Sequence, residues 1–268
     1  MDILQYDFMR RAFAVGLMLA VIVPCIGVVV VLKRLSMLGD ALSHTSLAGV
    51  AAGLVLGINP IVGAVVICVI AALSIEVIRK KLPKYAEMAI AIIMSAGIGL
   101  AGVLSGFVKS SANFNSFLFG SIVAISDFEM LLVSLISLAV LSAFLLLYKE
   151  LFFIALDERA ARLAGVPVRT VNFIFTILTA ITVSVAARTV GALIVSSLMV
   201  LPVASAMQLV KSYKQTVIVS ILFGILFVIG GLFLSYYVGL KPGGTIVLLG
   251  VASLVVLMLG KGVLGQKA

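Results

Sequence analysis

The sequence predicts an all-α, polytopic integral membrane protein, and three observations carry that prediction. The chain of 268 residues is 63% hydrophobic and 11% charged, with a mean hydropathy of +1.35. Soluble domains carry roughly 25% charged residues. The apolar residues come in runs of about twenty, the length a helix needs to cross a bilayer. The 19 Lys and Arg residues gather between those runs. The net charge of +9 is then loop charge biased to one side of a membrane, and nucleic acid is not an expected partner.

Hydropathy divides the chain, read as one domain over residues 1–268, into about nine spans, with eight to ten compatible. Residues 1–12 carry charges of both signs and suit a short interfacial helix. The first span, about Phe13–Leu32, is too long for a signal-peptide core and lacks a small-residue cleavage site. It stops at Lys33-Arg34. The second, about Leu35–Ile58, ends at the Asn59-Pro60 turn. The third, about Ile61–Ile78, ends in the basic run Arg79–Lys84. The fourth is about Ala86–Phe107. Lys109–Ser126 is more polar and reads as a loop with a short helix or re-entrant piece. The fifth is about Phe128–Tyr148.

The longest segment outside the spans follows, Lys149–Arg169. Within it, Asp157–Gly165 has acids first, basic residues later and a glycine stop before Pro167, the pattern of a short helix. Spans six to nine are about Thr170–Ala187, Gly191–Val210, Thr216–Val238 and Ile246–Gly260. Pro24 and Pro202 are potential kinks in spans one and seven. Gly49/Gly53/Gly57 and Gly97/Gly102/Gly106 offer small faces for close packing. Cys25 and Cys68 lack metal-site spacing and read as buried hydrophobes. With nine spans and an external N-terminus, fourteen of the 19 Lys and Arg residues fall inside and five outside, which makes Lys149–Arg169 cytoplasmic.

The second span holds the chemistry. Asp40 and His44, the only histidine, are four residues apart and share a helix face. An Asp near mid-bilayer costs roughly 2.5–3.5 kcal/mol on insertion scales, so an intramembrane carboxylate is a functional candidate by default. One reading is a polar pair that packs helices. The other is an oxygen-plus-nitrogen site for Mn²⁺, Fe²⁺ or Zn²⁺, since Ca²⁺ or Mg²⁺ would want oxygen alone. Two ligands make a transit site rather than a store, with water, Ser43 or another helix completing the shell. Protonating His44 would remove its ligand, so binding should weaken in acid. Glu87 opens the fourth span at the same side; it is either a helix N-terminal acid or part of a cation exit path. Arg188, at the outer end of span six, either snorkels or pairs with an acid. No Walker A pattern is present, so ATP, if used, binds another polypeptide.

Lys33–Gly53 (KRLSMLGDALSHTSLAGVAAG) resembles the signature of the membrane subunits of bacterial ABC importers for zinc, manganese or iron, the ABC-3 family. Asn115–Ser126, Leu156–Arg169, Val190–Gln208 and Leu234–Leu248 resemble further family segments in order. One departure is Thr45-Ser46-Leu47-Ala48-Gly49, where many relatives have a proline before the glycine. The resemblance implies a permease of the type II ABC-importer kind in the bacterial cell membrane. It implies a homodimer, cytoplasmic ATP-binding subunits and an extracellular or periplasmic metal-binding protein as partners, and no permanently bound cofactor. The family's Asp and His fall on Asp40 and His44, its fourth-span acid on Glu87, and its coupling helix on Asp157, Glu158, Arg159, Ala160, Ala161, Arg162, Leu163, Ala164 and Gly165. The permease itself is then not an enzyme. The alternatives are a permease for a metal chelate such as a siderophore or cobalamin, an intramembrane metalloenzyme, for which one histidine is too few, and a structural scaffold.

Overall fold

The computed structural model describes residues 5–108 and 125–265, and among them every regular element is a helix. In an apolar medium the backbone must satisfy its own polar groups, which a helix does within one segment. Among the described residues, nine helices of 18 residues or more stand one for one on the nine expected spans. They are α1 (Asp7–Leu32), α2 (Leu38–Leu56), α3 (Pro60–Lys81), α4 (Ala86–Ser105), α5 (Asp127–Leu146), α8 (Val168–Thr189), α9 (Ala192–Leu209), α10 (Tyr213–Val238) and α11 (Pro242–Gly265). Two short helices, α6 (Tyr148–Leu156) and α7 (Glu158–Leu163), connect α5 to α8. Seven of the long helices meet both the length and the hydropathy needed to span a bilayer. The two others are α2, diluted by Asp40, His44 and hydroxyl side chains, and α9, at 18 residues the shortest of the long helices.

Several boundaries move for physical reasons. The mixed-charge N-terminus is not a separate interfacial helix: from Asp7 it is the first part of α1. The second span starts at Leu38, because Lys33–Met37 turns the chain, with Arg34 in the left-handed backbone region at φ 58°. For an L-residue other than glycine that conformation is unfavourable by about 1–2 kcal/mol. Asn59 caps α3, its side chain accepting from the Ile61 N–H at 2.9 Å, with Pro60 in the first turn. At the other end of α3, Arg79, Lys80 and Lys81 sit in the last turn, where cations suit the helix dipole. Ser126 and Glu129 form a capping box at the start of α5. Lys149–Arg169 is more ordered than a polar loop: Leu151 and Ile154 of α6 are buried. The expected loop or re-entrant piece over Lys109–Ser126 lies, up to residue 124, outside the described residues.

Helices α1, α2 and α8 are largely buried, whereas α4, α5 and α11 expose most of their surface. Around α1 pack α10, α9, α5 and α8; around α2 pack α3, α4, α9 and α8. Glycines set the closest of these approaches. A Cβ at Gly49 of α2 would meet the Gly63 carbonyl and lie 2.6 Å from Ala64 Cα of α3. One at Gly97 of α4 would lie 2.5 Å from Thr45 Cγ2 and 3.0 Å from Thr45 Cα. Gly57, by contrast, is the left-handed cap of α2 at φ 69°, and Gly102 faces open space, so neither extends the small faces read from sequence. Pro24 in α1 cannot donate to Ala20, and α10 lays Gly224 against that carbonyl. Helix α2 runs unbroken through Thr45–Gly49.

The helix ends opposite the basic turns are tied by charge. Arg11 of α1 meets Asp127 at 2.8 Å and donates to the Ile125 carbonyl at 3.2 Å. Arg188 of α8 meets Glu129 at 2.8 Å with both side chains largely buried, so it pairs with an acid. Both cysteines are free and buried. Because overpacking a close contact typically costs about 1–3 kcal/mol, Gly49→Val should lower the melting temperature of the detergent-solubilised protein. Gly102→Ala should leave it unchanged or raise it, and fluorescence-monitored thermal unfolding would measure both.

Candidate functional site

Asp40 stands in the first turn of α2, where a carboxylate suits the exposed N–H groups and positive end of the helix. His44 follows one turn later, its Nε2 3.8 Å from Asp40 Oδ1. That is too long for a hydrogen bond. Two donors bound to one ion at about 2.1 Å each sit about 3.4 Å apart in a tetrahedral shell, so a small side-chain adjustment would let the pair share a cation. Both side chains are partly exposed, at 30% for Asp40 and 21% for His44, which leaves the pair reachable by an ion.

A third group reaches the pair from α9. Ser196 Oγ lies 3.5 Å from Asp40 Oδ1, a long hydrogen bond across the α2–α9 contact. Gly39 makes that approach possible: a Cβ there would lie 3.1 Å from Met199 Sδ and 3.5 Å from Ser196 Cα. Met199 is fully buried, and its backbone also presses on Gly27 of α1. Sequence reading missed Ser196. Its signal was the Ser196-Ser197 pair inside an apolar run, but its partner is 156 residues away.

The other expected ligands are placed differently. Ser43 is fully buried and its hydroxyl donates to the Asp40 carbonyl at 2.9 Å. Glu87 opens α4 and lines cavities at the end of the bundle rather than joining the pair. Among the described residues no cluster of three or more His, Cys, Asp or Glu side chains exists. The pair stands as one carboxylate and one imidazole with a hydroxyl beside the carboxylate.

That end of the bundle carries the charge. A cavity of about 920 Å³ opens between the α1–α2 link, the α3–α4 turn and α7. Its lining holds seven cations, Lys33, Arg34, Arg79, Lys80, Lys84, Arg159 and Arg162, against two acids, Glu87 and Glu158. Arg79 and Lys80 both pair with Glu76, at 2.7 and 3.1 Å, and Arg162 with Glu158 at 3.4 Å. Lys33, just past α1, donates to Asn172 Oδ1 at 2.7 Å; burial and the nearby Arg79 guanidinium pull its pKa down to about 8.

The segment expected to couple, Asp157–Gly165, is a capped turn of helix. Asp157 Oδ1 accepts from the N–H groups of Arg159 at 2.7 Å and Ala160 at 3.0 Å. The Ala160 and then the Arg159 N–H hold its carboxyl below the usual carboxylate range. Gly165, at φ 83°, ends the segment. Ala161 is buried, while Arg159, Ala160, Arg162, Leu163 and Ala164 are exposed.

A buried-core bundle of bilayer-length helices around a partly exposed acid–imidazole pair defines a polytopic membrane permease. The chain belongs to the ABC 3 transport family, whose model matches residues 5–261. It is 32% identical over 247 residues to the manganese transport system membrane protein MntC of Listeria monocytogenes, covering 92% of this chain and 88% of that one. It is 29% identical over 245 residues to the high-affinity zinc uptake system membrane protein ZnuB of Haemophilus influenzae, covering 91% and 94%. Among solved structures it superposes on PsaBC from Streptococcus pneumoniae, solved in complex with Fab, with a TM-score of 0.86 and 27% identity, over 96% of this chain and 92% of that one. A structure described as a metal-chelate type ABC transporter shares the fold at 15% identity, with a TM-score of 0.78 over 97% and 88%.

The Asp157 cap depends on an ionised carboxylate held below its unfolded pKa. Its contribution is therefore present above the usual carboxylate range and lost as pH falls through the lowered value. At neutral pH, Asp157→Ala should speed tryptic cleavage after Arg159 and Arg162 several-fold, while Asp157→Asn, which keeps an acceptor, should stay near wild type.

Proposed function

We propose that this chain is the permease subunit of an ATP-driven importer that moves a divalent transition-metal ion, Zn²⁺, Mn²⁺ or Fe²⁺, into the cell. The Asp40/His44 pair is its transit site. One observation carries the reading: within a chain of this family, the only histidine and a first-turn carboxylate share one face of α2 and stay partly exposed. The relatives named above serve manganese and zinc systems, which supports bare ions over a chelate as cargo. A chelate would need a wide passage and no ion ligands.

In this reading the basic end faces the cytoplasm, as the loop charges require. An ion released by an extracellular or periplasmic binding protein passes between two copies of the permease. At the level of α2, Asp40 and His44 replace part of its hydration shell with one oxygen and one nitrogen. Ser196 holds the Asp40 carboxylate toward the passage. Ser43 contributes by fixing the first turn of α2, and Glu87 offers a carboxylate on the exit side. The family's ATP-binding subunits hydrolyse ATP. They seat on Asp157–Gly165 and move that segment with the α1–α2 and α3–α4 turns beside it. Two weak ligands suit this work, because an ion held by a full shell would not leave.

The test is metal uptake into proteoliposomes containing the whole importer. Asp40→Ala and His44→Ala should each reduce uptake at least ten-fold while ATP-binding subunits still co-purify with the permease. Ser196→Ala should reduce it by a smaller factor. Wild-type uptake in both Asp40→Ala and His44→Ala would refute the site.

A further inference from the structure

We propose that the cavity at the basic end is a binding site for a phosphate-bearing anion, supplied by the headgroup of an anionic phospholipid. The proposal does not depend on the metal ligands, but it rests on the reading above that puts this end at the cytoplasm, and its cavity includes Glu87 and borders the segment on which that reading seats the ATP-binding subunit. Its first support is charge. Seven cations and two acids line one concave space, and four of the cations, Lys33, Arg34, Lys84 and Arg159, have no carboxylate within 4.0 Å among the described residues; of these, Lys33 donates to the Asn172 amide. Like charges confined together repel, and an anion seated among them relieves that repulsion.

The second support is the backbone at Arg34. It is the sole non-glycine residue with positive φ among the described residues, at 58°, and its side chain lines both this cavity and the adjoining one of about 410 Å³. A residue held in an unfavourable conformation persists where its surroundings over-determine it, and such residues cluster at ligand sites. Asparagine or glycine would relax the turn; an arginine there keeps a guanidinium, whose fork matches a phosphate.

The third support is position. The cavity sits where helices α1, α2, α3 and α4 end or begin, and basic pockets between helices at the cytoplasmic side of a membrane take phospholipid headgroups. Its rim is amphipathic outside the seat of the ATP-binding subunit too: Met88 is exposed at 56%, beside the cations. A soluble phosphate would use the cations alone, whereas a lipid also uses an apolar rim. Because α7 supplies Arg159 and Arg162, a seated headgroup would join that segment to the α1–α2 and α3–α4 turns.

The experiment uses the full permease in nanodiscs of phosphatidylcholine alone or mixed with phosphatidylglycerol, read by thermal unfolding and by native mass spectrometry of retained lipid. Wild type should melt several degrees higher with phosphatidylglycerol and keep a bound molecule of it. Arg34→Gln combined with Lys84→Gln should melt in phosphatidylcholine at or above wild type, showing that it folds, and should lose the phosphatidylglycerol shift and the adduct. Lys211→Gln combined with Lys214→Gln, away from the cavity, should keep both. If inorganic phosphate or pyrophosphate gives the same shift in phosphatidylcholine discs, the anion class holds and the lipid source is overturned. The proposal as a whole falls if neither anion shifts wild type, if the cavity variant responds like wild type, or if stabilisation comes only from adding the ATP-binding subunit.

Discussion

Hydrocarbon will not accept a bare carboxylate and an imidazole, and the bundle surrounds α2 with other helices on the sides that do not carry them. Helix α2 is sheathed on several sides, by α3 through Gly49 and Gly53, by α4 through Gly97, and by α9 through Gly39. Each contact removes a side chain so that backbones can meet, which is how helices hold together where no hydrophobic force separates them from lipid. What remains open is the face with Asp40 and His44. The same glycine next to Asp40 that admits α9 also admits Ser196, so packing and polar satisfaction are one event. Site and scaffold are therefore hard to separate: a change that pushes α9 from α2 would strip Asp40 of its hydroxyl.

The two ends of the bundle are held by different means. At the outer end, acids and arginines meet in pairs, Arg11 with Asp127 and Arg188 with Glu129, and charges balance locally. At the basic end they do not balance, and turns rather than ion pairs define the geometry: the left-handed Arg34, the Pro83–Tyr85 turn and the Asp157 cap. An end with surplus charge and short capped segments suits contact with other molecules, whereas the outer end is closed by its own pairs.

Much of this was legible in the sequence because hydropathy and chain punctuation act locally. Asn59-Pro60 marked the start of α3, and Asp157 and Gly165 marked a helix of six residues. Asp40 and His44 were legible because their relation is one helical turn. Helix α6 was missed since its buried Leu151 and Ile154 occupy only nine residues beside a charged loop. Gly102 was over-read because a small residue can mark either a contact or bare surface. Ser196 and the Arg188–Glu129 pair were beyond reach: each depends on which distant helices become neighbours, and Arg34 on a turn that no local propensity favours.

The order of synthesis gives the burial of α1 a further meaning. Helix α1 is made long before its partners α9 and α10. Until they emerge it lacks their cover, and its sequence from Phe13 to Leu32 is apolar on every face, which suits lipid in their place. Helix α2 could not wait in that way. Its main partners, α3 and α4, are the next two helices to emerge, so most of α2 is covered almost as soon as it is made, while the face with the acid and the histidine stays open. Only the hydroxyl of Ser196 arrives late, which makes the final docking of α9 the step that completes the neighbourhood of Asp40.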